Sequence, residues 1–468
     1  MKKLLSISAL SAALLSNSVI SATSIGGYPL STVELNTEVA YFYGDNNPFH
    51  ITEFIKSTNG QLFGLEDIYK FEFTYGNFSY CDFYGPFQCP QSLNVKSSII
   101  KSRDGVFDKP VYFIKGLSIS ENGFVSEQDE LASYWASPSF NDIFTTLLNS
   151  GRDIVFIDFI RIPNEDRFQD ESYLVGQIAQ LVHFIETKEK VGHHQSTMVG
   201  YSYGGLLAKQ VLNKLESERY QHEIYNYISL DAPHRGASLP YSLINTVKRI
   251  RGRLEDARGC SRVSSCDRNR KKMRELERNL TEGIAAKLLI TGSKSNSYFR
   301  SLLNEGYPST YNVAFSNGSY TGRTAGLPEN YVMARFEVNY SLYGDTYYTI
   351  DSENIRSNYK APFYYTSHVF DNAPGSYALV GGFLNSFLAS NSRIRNVTNN
   401  LYTRNINPTF ITTASALDLN VSNLNGPFSL NGSTTPFDKV YAVSGSNLSH
   451  TDFSYHKNNI VNEINRAQ

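Results

Sequence analysis

One turn restricts this chain more than any other stretch. Residues 197–207 pass from a short apolar run into a helix through Gly200-Tyr201-Ser202-Tyr203-Gly204-Gly205. In a G-x-S-x-G turn of this kind the serine backbone is strained, and its hydroxyl stands clear of the sheet. The residues two before and two after the serine approach each other closely, which favours glycine at both. Gly205 then lets the helix pack close to its strand. The five-letter pattern also arises by chance in Gly/Ser-rich loops, so its meaning rests on the flanks. Read as a functional turn, it makes Ser202 an activated nucleophile.

The flanks alternate. Residues 111–114 and 154–157 are apolar runs, 197–199 leads into the Ser202 turn, and 227–230 is a further run ending at Asp231. Between them lie helix-like segments. One is 141–149, closed by Gly151. Another is 170–189, with Leu174, Ile178, Leu181, Val182 and Ile185 on one face. The helix after Ser202 puts Leu206, Leu207, Val211 and Leu215 on one side. Such alternation predicts an α/β fold, a mostly parallel sheet covered by helices on both faces. Reactive groups in these sheets gather at the carboxyl ends of strands, where Ser202 and Asp231 both fall.

Around this core the chain divides into a leader at 1–22, a β-rich segment at 23–105, core at 106–239, an insertion at 240–404 and core again at 405–468. The leader has Lys2 and Lys3, a short apolar run and a small residue, Ala22, at its end. That is the pattern of a signal peptide, and it predicts export to a periplasmic or extracellular space. No later run approaches the roughly 20 apolar residues of a membrane span. In an exported chain the close pairs Cys81/Cys89 and Cys260/Cys266 predict two local disulfides. Their irregular spacing argues against zinc. Segment 23–105, rich in Tyr, Phe, Asn, Gly and Ser, reads either as opening antiparallel strands of the main sheet or as an appended β-layer. Within the insertion, 310–316 reads as a further core strand. Residues 241–291 are helical in character and highly charged. A lid or basic face is one reading; a solvated helical hairpin with paired charges is the other, which the mixed signs favour. The formal charge of −1 excludes the basic footprint of a nucleic-acid binder.

A serine hydroxyl needs a base, and the base needs an acid to orient it. Of the nine histidines, His183 falls within an amphipathic helix, and His193 and His194 sit in a polar loop. His450 follows the last strand and precedes the last helix, where a Ser…Asp…His order puts the base. His234 and His456 are its rivals. The same order favours Asp418 as the acid, with Asp231 as the alternative at the end of the strand after Ser202. The oxyanion donors expected are the backbone N–H of Tyr203 and that of Leu117. No metal or organic cofactor is implied.

With these pieces in view, the chain resembles a secreted serine esterase or lipase of the α/β-hydrolase superfamily. The resemblance is carried by Phe113-Ile114-Lys115-Gly116-Leu117, the Ser202 turn, Asp231-Ala232-Pro233-His234-Arg235-Gly236 and the late His450. It covers about 106–236 and 405–460. Lys115 stands where such lipases often carry histidine, and the Pro233-His234 pair matches a turn in which the histidine is structural. The resemblance implies cleavage of small-molecule or lipid carboxylic esters through an acyl-enzyme on Ser202, with the insertion as a cap and with transient contact with a lipid surface. A peptidase or thioesterase on the same residues, or an inactive surface-binding protein on this scaffold, are the competing readings. Oligomeric state is left open.

Overall fold

The computed structural model describes the backbone of short strands within 24–75, then 94–117, 130–160, 171–239, 241–256, scattered positions of 267–289, 295–322, 332–342, 345–356, 373–377, 394–399, 409–421 and 434–467. The leader and Cys81, Cys89, Cys260 and Cys266 lie outside the described residues.

Ten strands form one sheet. They are β1 (Thr37–Ala40), β2 (Ile51–Asn59), β3 (Ile68–Tyr75), β4 (Asn94–Ile100), β5 (Pro110–Ile114), β6 (Asp153–Ile160), β7 (Ser196–Tyr201), β8 (Ile224–Leu230), β9 (Tyr311–Ser319) and β10 (Lys439–Val443). Their order is β10-β9-β8-β7-β5-β6-β4-β3-β2-β1. From β10 to β6 every pairing is parallel; from β6 to β1 every pairing is antiparallel. The β-rich N-terminal segment therefore extends the main sheet, and the run at 310–316 is a core strand.

The parallel part is buried on both sides because its side chains alternate between two apolar layers. Tyr112 and Ile114 of β5 enter one layer with Val155, Ile157, Met198 and Tyr227; Val111 and Phe113 enter the other with Ile154, Phe156, Val199 and Ile228. The first layer is closed by α3 (Glu171–Phe184) and α4 (Tyr203–Ser217). The second is closed by α1 (Glu130–Ala136), α2 (Pro138–Asn149) and a C-terminal helix (Lys457–Ile464). Pro at the start of α2 presets the first turn, and Gly151, at φ 81°, follows its end. The Phe113 ring lies 5.2–5.7 Å from those of Tyr134, Phe140, Phe144 and Phe156. Each such ring contributes about 2–3 kcal/mol through burial alone. The run at 170–189 is helical as expected, except that its last turn, Ile185–Glu189, is π-helical.

The charged insertion opens with α5 (Tyr241–Asp256). Several of its described charges are paired: Arg251 with Glu255 and Glu277, Arg274 with Glu255, and Arg270 with Asp267. Strand Thr409–Thr412, expected to join the core, instead pairs antiparallel with Gly375–Tyr377 in a separate two-stranded sheet.

The π-turn carries a buried polar clamp at the amino end of the sheet. Lys190 Nζ reaches Glu186 at 2.9 Å and Glu223 at 2.6 Å, and its side chain is fully buried, as is nearly all of Glu186. Glu186 also accepts from Tyr112 OH (2.8 Å), Ser196 Oγ (2.5 Å) and Glu223 N (3.1 Å), tying β5, β7 and β8 together. Removing one ion of a buried pair leaves the other without compensation. Lys190→Met should therefore lower unfolding stability in urea by about 3 kcal/mol. Adding Glu186→Gln should recover part of that loss; a further equal drop would refute the clamp as the cause.

Candidate active site

The order of the sheet reverses between β5 and β7, since the chain runs from β5 outward to β6 and then returns to the far side of β5. Groups at the carboxyl ends of these strands border a crevice. Ser202 sits there at the corner between β7 and α4, with φ 55° and ψ −126°. That conformation costs a non-glycine residue on the order of 1–3 kcal/mol and persists because its surroundings hold it. Ser202 N donates to Leu230 O at 2.9 Å, and Ser202 O accepts from Gly205 N at 2.9 Å. A Cβ on Gly200 would strike the backbone of Gly204 and Gly205, and one on Gly204 would strike the carbonyls of Ile114 and Lys115. The two glycines flanking the serine are thus required by backbone contact.

Asp231 reaches the same level by register. Tyr201 and Leu230 are paired residues of β7 and β8, so Ser202 and Asp231 follow side by side on strands about 4.8 Å apart. Asp231 is fully buried and also lies at positive φ, 48°. Its Oδ2 is 2.7 Å from His450 Nδ1, and its Oδ1 accepts from Asn317 N at 3.1 Å. A carboxylate only accepts, so Nδ1 of a neutral His450 carries the proton and Nε2 keeps its lone pair. The His450 ring lies 4.9 Å from that of Tyr201 and 5.3 Å from that of Phe410. Among the described residues no hydrogen bond reaches the Ser202 hydroxyl, and contacts of this kind commonly tighten only when substrate is bound.

Asp418, the acid that chain order favours, meets other partners in the structure. Asp418 Oδ1 accepts from Arg235 Nε at 2.8 Å and its Oδ2 from Tyr307 OH at 2.8 Å. Both oxygens serve this buried cluster, and His450 is bonded to Asp231. The reason is topological: strand Thr409–Thr412 precedes Asp418 but lies outside the main sheet, so Asp418 is not at a core strand end.

Two elements lie beside the serine corner, the start of α4 and the segment after β5. Tyr203 opens α4, and the first N–H groups of a helix lack intrahelical partners and carry its positive end. Gly116 lies against the serine: a Cβ there would stand 3.0 Å from Ser202 Cβ. Gly116 N donates to Tyr134 OH at 3.0 Å, a contact with no sequence signal. The N–H of Leu117 forms no bond among the described residues. Lys115 points away from the corner into a buried ion pair with Asp158 at 2.5 Å, its ammonium 5.0 Å from the Phe159 ring.

The remaining described histidines have other partners. His234 contacts Ser229 Oγ at 2.8 Å and Tyr307 OH at 3.3 Å. His456 contacts Ser316 O at 2.9 Å, His183 stacks on Tyr220, and His222 Nδ1 accepts from Ile224 N at 3.3 Å. His193 and His194 are exposed, beside Glu223 and Asp108. His50 and His368 lie outside the described residues. Among the described residues no three His, Cys, Asp or Glu side chains could together hold a metal ion, and no helix is long and apolar enough to cross a membrane.

No family model matches the chain, and no curated protein does. Solved structures do. Est1E from Butyrivibrio proteoclasticus is 15% identical, over 30% of this chain and 47% of its own, with a TM-score of 0.21. Dienelactone hydrolase from Anabaena variabilis is 14% identical, over 30% of this chain and 59% of its own, with a TM-score of 0.21. The rice cell wall degrading esterase LipA from Xanthomonas oryzae is 11% identical, over 53% of this chain and 75% of its own, with a TM-score of 0.30. The chain thus spans about half the length of the first two.

Burial pushes the His234 imidazole down to about 3; nearby Asp418 opposes this and Lys209 and Arg235 add to it. The unfolded chain therefore takes up a proton below about pH 6.5 that the folded chain refuses until about pH 3. Stability is complete above that window and falls as pH drops through it, by up to about 1.4 kcal/mol per pH unit. Buried His456, also lowered, acts in the same direction. Urea unfolding at pH 7 and pH 5 should show this loss in the native protein. A smaller loss is expected in His234→Gln, whose own stability is lower at both; an equal loss would rule out His234 as its source.

Proposed function

We propose that this chain is a serine hydrolase that cleaves carboxylic esters. The carrying observation is the 2.7 Å contact between His450 Nδ1 and Asp231 Oδ2, held at the strand end beside the strained Ser202. In this reading Ser202 Oγ attacks the ester carbonyl and His450 Nε2 takes its proton. Asp231 keeps the imidazole in the productive tautomer and stabilises the imidazolium. The N–H groups of Tyr203 and Leu117 bind the developing oxyanion. His450 then protonates the departing alcohol, and water, activated by the same imidazole, releases the acid. The choice of ester over amide or thioester follows the motif resemblance; a panel of the three bond types decides it.

Export through the 1–22 leader, local disulfides at Cys81/Cys89 and Cys260/Cys266, and a lipid or small-molecule ester as substrate belong to the same proposal. The insertion as a cap over the site belongs to that proposal as well.

A fluorophosphonate should label the native protein and not Ser202→Ala; equal labelling removes the nucleophile. Asp231→Asn should lower kcat by about 10³–10⁴-fold through the wrong imidazole tautomer. Asp418→Asn should retain kcat within about tenfold while melting earlier, because the buried Arg235 contact loses its charge. The opposite ranking of the two variants would return the acid to Asp418.

A further inference from the structure

Strand β9 and its partner β10 slip register between Ser316 and Ser319. The extra residues, Asn317 and Gly318, form a bulge at the carboxyl end of the sheet. Bulges re-aim backbone and side-chain groups, and they concentrate beside active sites. Here the re-aimed groups of Asn317 face two elements at once. Its N–H donates to Asp231 Oδ1 at 3.1 Å. Its carbonyl accepts from Leu448 N at 2.8 Å. Its side-chain Nδ2 lies 2.9 Å from Ser449 O and 3.3 Å from His450 O. The side chain is fully buried.

The amide orientation follows from its partners. Two carbonyl oxygens surround Nδ2, and only an NH₂ group can donate to both. That choice leaves Asn317 Oδ1 buried without a partner. A native buried polar atom in this state calls for a reason beyond stability. The backbone on the other side of the histidine loop is held by His450 N to Tyr377 O at 2.9 Å. Among the described residues, Asn317 is the one that bonds both the acid's carboxylate and the backbone of the base.

We propose that Asn317 is a positioning residue for ester cleavage: it sets the His450 backbone against the Asp231 carboxylate, so that the imidazole meets both the acid and Ser202. The proposal rests on the triad reading above. A side chain donating to the His450 carbonyl fixes where the imidazole starts, and the β9 N–H fixes where the carboxylate ends. Misplacement of a catalytic group by about 1 Å can cost a hundredfold in rate.

The test is Asn317→Leu, close in volume and without donors, assayed in the full chain with a p-nitrophenyl ester. The expected result is a kcat lower by about 10- to 100-fold with KM within about threefold, in protein that melts cooperatively. In parallel, the low-field proton signal of the His450–Asp231 hydrogen bond, assigned by its loss in Asp231→Asn, should weaken or disappear. That signal needs no turnover and is not moved by a side chain that only fills space. Native kcat with a native signal overturns the proposal. Should Asn317→Leu fail to fold, Asn317→Ser replaces it, with the same two readouts and the same deciding results. An active Ser202→Ala would instead remove the triad reading while leaving the proton signal to report on Asn317.

Discussion

The parallel pairing of β7 with β8 is the constraint on which the rest of the site depends. It aligns Tyr201 with Leu230 and so delivers Ser202 and Asp231 to the same edge, one strand apart. Both residues then leave their strands at positive φ, 55° and 48°. An L-residue adopts that region only when the surroundings over-determine it. For Ser202 those surroundings are the Leu230 carbonyl and the glycine contacts beneath it. For Asp231 they are the Phe315 carbonyl, which accepts its N–H at 2.8 Å, and the β9 bulge that caps its carboxylate. Each strand end is thus held by the next strand outward.

The same logic explains why so many charges are buried away from the serine corner. Lys115 with Asp158 ties β5 to β6, the Lys190 clamp ties β5 to β7 and β8, and Asp418 with Arg235 ties the returning insertion to the turn after Asp231. A buried ion pair is poor evidence of net stability, since desolvation offsets most of its attraction. Its value is geometric, because only one arrangement satisfies both partners. The first two pairs sit where one strand could otherwise shift relative to another.

The elbow and the parallel strands were legible in the sequence because both have local signatures: glycine spacing for one, apolar runs between amphipathic helices for the other. His450 stood out in the sequence because it follows the last strand. Its contact with Asp231 did not, because a chain-order argument counts strands without knowing which belong to the sheet. Thr409–Thr412 has the β-branched composition of a core strand, yet it pairs with Gly375–Tyr377. The N-terminal strands were ambiguous for a related reason: an antiparallel extension and a separate layer share the same alternation. Asn317 carried no signal at all. A bulge is a property of two strands in register, and neither strand shows it alone.

The turn from Asp231 to Gly236 shows how the insertion and the core become one structure. Arg235 N donates to Ser415 Oγ at 3.0 Å, Ser415 Oγ donates to Gly236 O at 2.7 Å, and Arg235 Nε meets Asp418. Thr413 Oγ1 donates to Ser319 O at 3.0 Å, beside the bulge. The segment that returns from the insertion therefore grips both sides of Asp231, at the turn that follows it and at the strand end that caps it. Asp418 is read most simply as part of that grip. A carboxylate that fits the catalytic order in sequence is, in space, part of the packing around Asp231, the carboxylate at the strand end.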